Sequence, residues 1–194
     1  MRIVVISQRV DEFPERNEKR DALDQRLTVF IAACGYVPIP IPNTLGNSLR
    51  EWLSVLKPVA VVLSGGNDIG QCKDRDKTEF DLLAYAHEYK LPLLGICRGM
   101  QIMAYWSGAK LHQVSGHVQK RHKLTGQISI EVNSYHNYSL NDCPAGFKVL
   151  ARSEDGEIEA IRSLSLAWEG WMWHPEREVV FATDDIERLK ELFI

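Results

Sequence analysis

Cysteine is scarce and scattered. Cys34, Cys72, Cys97 and Cys143 are the four, and no two stand in a Cys-x-x-Cys pair. That excludes a zinc ribbon and a dithiol redox motif, and it fits a reducing compartment. Excess positive charge is also missing: 23 basic residues face 26 acidic ones, a formal net charge of −3. No broad basic face for nucleic acid is therefore expected. No apolar run approaches the roughly 20 residues of a membrane span. The opening apolar stretch, Met1 to Ile6, is too short for a signal peptide and meets polar Ser7-Gln8-Arg9 at once. Internal repeats and low-complexity segments are absent. These gaps leave a cytoplasmic protein with no membrane and no nucleic-acid partner. With 194 residues, 45% hydrophobic and 25% charged, the expectation is a single domain over 1–194 with a full core.

What is present centres on Leu91-Pro92-Leu93-Leu94-Gly95-Ile96-Cys97-Arg98-Gly99-Met100-Gln101. The apolar first half reads as a short buried strand, and the second half opens a helix from Gly99 to Trp106. Cys97 lies at the junction between Gly95 and Gly99, the spacing of a nucleophile elbow. A sharp strand-to-helix turn crowds the residues around it, so glycine is needed on both sides. The helix N-terminus favours the thiolate, which is the reactive form. A nucleophile needs a base, and Trp173-His174-Pro175-Glu176 supplies one. His174 can take the thiol proton and return it to a leaving amine, while Glu176 orients the imidazole. His136 is the rival base.

The rest of the chain alternates strands and helices, which implies a parallel sheet with right-handed crossovers. Ile3 to Ile6, Val59 to Leu63 and Leu93 to Ile96 read as buried strands. Tyr36 to Pro42, with its repeated prolines, reads as an edge strand. Leu23, Leu27, Phe30 and Ile31 mark one helix, Asp76 to Tyr89 another, and Ser48 is expected to cap a third through Leu56. Ile128 to Val132, Phe147 to Ala151, Ile158 to Ile161 and Leu164 to Trp168 read as short strands. A closing amphipathic helix begins at Asp184. Asp11 to Arg26 is densely charged and is read as a solvated loop and helix face, or as arginines reaching a substrate. His112, His117 and His122 fall five residues apart. They share no helical face, and no cysteine or carboxylate joins them at ligand spacing. They are read as exposed loop histidines, with no metal and no cofactor expected.

Three motifs together, Gly95-Ile96-Cys97-Arg98-Gly99-Met100-Gln101, His174-Pro175-Glu176 and Ser64-Gly65-Gly66-Asn67-Asp68, resemble a class I glutamine amidotransferase domain. Arg75-Asp76 with Glu79, Val132 to Asn137 and Asp155 to Ala160 are similar to its γ-glutamyl hydrolase branch. The resemblance implies a three-layer α/β fold. Its flavodoxin-like central sheet is mostly parallel, with helices on both faces and a small antiparallel region in the C-terminal half. It also implies Cys97, His174 and Glu176 as the catalytic set. Gly66, Asn67 and Arg98 would form the oxyanion hole. Gly65, Gln101, Ser134, Tyr135 and His136 would line the glutamyl pocket. The chemistry implied is cysteine-dependent hydrolysis of a small γ-glutamyl amide through a thioester, with room for a homodimer.

Two departures from the branch bear on the substrate. Only Ile69 to Arg75 joins the glycine turn to the Arg-Asp…Glu helix, which opens the leaving-group side. Met172-Trp173 precedes His174. Arg9, Arg16 and Arg20, with Lys73 and Arg75, mark that side with positive charge, as would suit a phosphorylated leaving group. The small, arginine-marked form resembles hydrolases acting on γ-glutamyl-CDP-amidate. The competing readings are a glutaminase subunit delivering ammonia to a separate synthetase, and a non-catalytic regulatory protein on the same fold.

Overall fold

A computed structural model describes residues 2–194. Strand β1 (Ile3–Ile6) enters the centre of the molecule because all four residues are apolar and both its faces are covered. Val4 and Ile6 face one core cluster and Val5 the other. The charged stretch that follows is a hairpin, β2 (Arg9–Phe13) and β3 (Glu18–Ala22), turned by Pro14–Arg16. It corrects the expected loop and helix face. Its opposite charges pair along the ribbon, Lys19 Nζ with Glu12 at 2.8 Å and Arg20 Nε with Glu18 at 2.6 Å.

Asp24 then caps α1 (Gln25–Ala33), accepting from the Arg26 N–H. Proline-containing β4 (Val37–Pro40) follows and lies at the sheet edge. Helix α2 (Leu49–Leu56) begins where expected, but the Ser48 side chain makes no cap bond. Next come β5 (Ala60–Leu63), α3 (Lys73–Glu88), β6 (Leu93–Ile96) and α4 (Arg98–Trp106). Helix α3 starts one turn before the expected Asp76, so the segment after the glycine turn is shorter still.

The C-terminal half is strand-rich: β7 (Leu111–Gln113), β8 (Val118–Lys123), β9 (Thr125–Gly126), β10 (Glu131–Tyr135) and β11 (Tyr138–Leu140). They are followed by β12 (Phe147–Arg152), β13 (Ile158–Ser163), β14 (Trp168–Trp171) and α5 (Thr183–Leu192). Two strands differ from expectation. The strand looked for at Ile128 to Val132 runs Glu131–Tyr135, because it is placed by pairing with β8. The one looked for at Leu164 to Trp168 begins where that run ends, at Trp168, where it meets Leu93 of β6.

The main sheet has eight strands in the order β4-β1-β5-β6-β14-β13-β12-β9. Strands β4 to β14 in that order are parallel, and β13, β12 and β9 run antiparallel. Helices α1 and α5 cover one face, and α2, α3 and α4 the other. The strands β8–β10, β7–β11 and β2–β3 form three separate two-stranded ribbons. Among the described residues no helix is long and apolar enough to cross a membrane.

The three histidines expected on exposed loops are placed otherwise: His112 lies in β7 and His122 in β8. His117 is 1% exposed. The β8–β10 ribbon folds against β13 and carries it inward, beside His122, His136 and Glu159.

Candidate active site

The carboxyl ends of parallel strands are where an open α/β sheet presents its chemistry. Three such ends converge here. Strand β6 ends at Ile96, and Cys97 follows with φ 51° and ψ −109°, a left-handed conformation that is costly for any residue but glycine. Its N–H donates to the Trp171 carbonyl at 2.7 Å, and α4 starts at the next residue. Both flanking glycines are required by space. A Cβ on Gly95 would meet the Gly99 carbonyl oxygen at 2.5 Å, and one on Gly99 would run into the Leu63 carbonyl of β5.

Strand β14 pairs with β6, and the chain beyond it delivers His174 to the same edge. Asn133 of β10 fixes that segment from both sides. Its Oδ1 accepts from the His174 N–H at 3.0 Å, and its Nδ2 donates to the His174 carbonyl at 2.8 Å. Glu176 Oε1 lies 2.7 Å from His174 Nδ1. Tyr135 stands edge-on to the imidazole, ring centroids 5.8 Å apart. Cys97, His174 and Glu176 are all buried.

The electrostatics favour an ion pair. Burial pushes the Cys97 thiol up. The charge and hydrogen bond of His174 outweigh it, with help from His136 and the Arg98 N–H, so the thiol lies below its ordinary value. Burial lowers His174. The Cys97 thiolate and the Glu176 carboxylate outweigh that and raise it to about 9. Both shifts act in the same direction, toward negative charge on Cys97 and positive charge on His174. By contrast, burial pushes Cys34 up to about 11.

The third strand end is that of β5, which leads into Ser64-Gly65-Gly66-Asn67. Arg75 of α3 holds this turn from below. Its Nη2 donates to the Ser64 carbonyl at 2.7 Å and to the Gly65 carbonyl at 2.9 Å, and its Nη1 reaches the Gly66 carbonyl. Glu79 binds the Arg75 Nε at 3.1 Å, accepts from Ser7 Oγ at 2.7 Å and pairs with Arg98. Asp76 also pairs with Arg98. Arg75, Glu79 and Arg98 thus form a buried network under both the glycine turn and the elbow. Their place in the sequence motif was legible, but this carbonyl-holding role was not. Asn133 was likewise visible only as part of a polar run.

The remaining residues expected at the site spread around this centre. Gly65 lies against the base: a Cβ there would meet His174 Cε1 at 2.6 Å. Gly66 adopts φ +85° and carries the Arg9 side chain packed over it. Asn67 ties the turn to the hairpin, its Oδ1 accepting from the Val10 N–H at 2.8 Å and its Nδ2 donating to the Val10 carbonyl at 3.0 Å. Gln101 donates to the Tyr138 carbonyl at 3.0 Å. Ser134 Oγ donates to the His117 carbonyl at 2.6 Å, and His136 faces Glu159, both away from solvent. Arg9 is half exposed and pairs with Asp11 at 2.8 Å. A cleft of ≈ 270 Å³ runs along this side, lined by Arg9, Asp24, Gly65, Gly66, His174 and Arg177. A second, of ≈ 530 Å³, opens at Gln101, Gly70, Tyr105 and Lys110.

Fold and site together define an α/β protein with a cysteine elbow and a His–Glu pair at the carboxyl edge of a parallel sheet. The family model "Glutamine amidotransferase class-I" matches residues 22–192. The chain belongs to the class I glutamine amidotransferase family. Among curated relatives, a γ-glutamyl-CDP-amidate hydrolase of Campylobacter jejuni is 34% identical over 164 residues, 81% of this chain and 79% of that one. One subunit of a glutamine-hydrolysing GMP synthase from Thermococcus kodakarensis is 32% identical over 153 residues, 70% of this chain and 74% of that one. A solved glutamine amidotransferase from Thermotoga maritima superposes with a TM-score of 0.66 at 18% identity, covering 100% of this chain and 83% of that one.

Proposed function

We propose that the protein hydrolyses a γ-glutamyl amide by covalent catalysis. The observation that carries this is buried Cys97 at the elbow and buried His174, held by Glu176 at 2.7 Å, beside the glycine turn. Cys97 Sγ attacks the γ-carbonyl carbon. The Arg98 N–H and an N–H of the Gly66-Asn67 turn receive the negative charge that develops on the oxygen. Arg75, by holding the carbonyls of that turn, keeps its N–H edge turned to the substrate. The C–N bond then breaks, His174 gives its proton to the departing nitrogen, and a γ-glutamyl thioester remains. Water deprotonated by His174 attacks the thioester carbon, releases glutamate and restores the thiolate. No metal or cofactor enters these steps.

The leaving group lies on the Arg9 side of the cleft, and we read it as phosphorylated, in keeping with the similarity to the C. jejuni hydrolase. Arg16 and Arg20 point elsewhere in this reading, since Glu15 and Glu18 take them on the hairpin surface. Arg9 and Arg177 line the cleft itself. The similarity to a GMP synthase component favours one second reading, a glutaminase that feeds ammonia to a synthetase.

The test compares γ-glutamyl-γ-aminobutyrate, γ-glutamyl-ethanolamine-phosphate and its CDP ester with the wild-type protein and Arg9→Ala. The expected result is a preference for the phosphorylated compounds that falls at least about tenfold in Arg9→Ala, the scale of one charge-assisted contact. Equal rates on all three substrates, or an unchanged Arg9→Ala, reject the phosphorylated leaving group.

A further inference from the structure

Beside the candidate active site, and sharing His136 with the residues expected there, one buried cluster has more acceptors than hydrogens to share among them. His117, His122, His136 and Glu159 each bring one ligand atom, and these atoms all lie within 4.8 Å of one another. His117, His136 and Glu159 are buried, and His122 is partly so.

Outer hydrogen bonds fix which ring nitrogens face inward. His136 Nδ1 lies 3.0 Å from the Tyr138 carbonyl, which can only accept, so Nδ1 carries the hydrogen and Nε2 offers its lone pair. His117 Nε2 lies 2.8 Å from Asp155 Oδ2. Asp155 also accepts from Ser153 Oγ at 2.5 Å, as a carboxylate does, so it accepts here too. His117 Nδ1 is therefore also left with a lone pair. The two inward lone pairs face each other at 3.3 Å. Glu159 Oε1 sits 3.2 Å from His136 Nε2 and 3.5 Å from His117 Nδ1.

A proton shared between His136 and Glu159 relieves one of these contacts. It reaches His117 Nδ1 only at 3.3 Å. It leaves Glu159 Oε2 and His122 Nε2, which are buried and have no partner at all.

A cation takes one inward ligand atom from each of the four residues. Tetrahedral zinc holds imidazole nitrogen at about 2.0–2.1 Å, which sets ligand-to-ligand edges of about 3.3–3.4 Å. Three of the six separations, 3.2, 3.3 and 3.5 Å among His117, His136 and Glu159, are edges of that size, and the His122 atom lies within 4.8 Å of the other three. The carboxylate behind His117 and the backbone carbonyl behind His136 are the outer partners that metal-bound histidines usually have.

We propose that His117, His122, His136 and Glu159 form a closed, four-ligand site for a zinc-class divalent cation. Three imidazoles and one carboxylate suit that class of metal, and a full set of protein ligands makes the site structural. The ion ties the β8–β10 ribbon, through His122 and its neighbours, to β13 of the main sheet. That ribbon carries Asn133 and Tyr135, which flank His174.

The experiment measures metal content of the purified chain by mass spectrometry, zinc affinity by chelator competition, and the visible spectrum after cobalt(II) substitution. It uses the wild type, His122→Gln, Glu159→Gln and Cys97→Ser. The expected result is one ion per chain in wild type and in Cys97→Ser, with four-coordinate cobalt absorption. Affinity should fall at least about tenfold in His122→Gln and Glu159→Gln. His122 is only partly buried, so His122→Gln should keep a native circular-dichroism spectrum even if Glu159→Gln unfolds. Zinc should raise the melting temperature of the wild type by a few degrees and that of His122→Gln less. A folded wild type that binds no zinc overturns the proposal. So does a folded His122→Gln that binds zinc as tightly as wild type. Stoichiometric binding lost in Cys97→Ser would place the ion on the nucleophile instead.

Discussion

At the residue scale the protein depends on one thiol differing from three others. Cys97 combines a helix start, a positive φ and an imidazole partner; Cys72 also precedes a helix, α3, but with φ −128°, and burial raises Cys34 and Cys143. Iodoacetamide is therefore expected to label Cys97 first, and peptide mapping checks it; labelling led by another cysteine would count against the nucleophile. Cys97→Ser should lose turnover and keep its fold. His174→Ala should cost at least about a hundredfold in kcat, the scale of a lost general base, with Glu176→Gln costing less.

The pH profile follows from the two shifts. The Cys97 thiol is lowered, so the thiolate persists below the ordinary thiol range and is lost as pH falls through its folded value. His174 is raised to about 9, so the donor proton is lost as pH climbs through that value. Turnover should thus be bell-shaped, its alkaline limb near about 9 and shifted in Glu176→Gln. A flat profile from neutrality to pH about 10 would contradict the pair.

These residues were legible in the sequence because an elbow is a local event, fixed by Gly95, Cys97 and Gly99 within one short segment. The histidine cluster was not legible. Glu159 belongs to β13 and His136 to a loop beyond β10, and nothing in the spacing of His117 and His122 announces that a ribbon will bring them together.

At the element scale the glycine turn and the elbow rest on helix α3. Arg75 is fully buried, and its guanidinium holds the carbonyls of Ser64, Gly65 and Gly66 while Glu79 balances its charge. Arg75→Met should cost about 3–5 kcal/mol of stability, because Glu79 loses one of its two buried cationic partners and three carbonyls lose their donor. Urea unfolding measures this, and a loss under about 1 kcal/mol would deny the turn its support. Gly65→Ala probes the same turn from above. Its methyl would press on His174 Cε1, so kcat should fall sharply while the melting temperature changes little.

The buried strands of this layer were readable as continuous apolar runs, since both their faces are covered. The β2–β3 hairpin was not. Both of its faces are polar, so it carries no period-two hydrophobic signal, and its register comes from cross-strand charge pairs such as Lys19 with Glu12.

At the scale of the whole molecule, the sheet order brings the ends of β5, β6 and β14 side by side and sets the β2–β3 hairpin beside them. The alternation of strands and helices made that parallel core predictable. The placement of the two antiparallel ribbons near the site was not, because it depends on contacts between distant segments such as Asn133 with His174. The same arrangement bears on what the protein does unaided. The proposed nucleophile, base and orienting carboxylate, and the Arg9 side of the cleft, all come from this one chain. The purified chain alone is therefore expected to release glutamate from a substituted γ-glutamyl amide, and free glutamine should be a poor substrate. A glutaminase that serves a synthetase should behave oppositely, with ammonia release from glutamine that is slow alone and rises when the partner is added. A coupled glutamate assay on glutamine and on substituted amides, with and without an ATP-dependent amidating partner, separates the two. Glutamine turned over faster than every substituted amide, and stimulated by a partner, would make the chain an ammonia-delivering component of a synthetase.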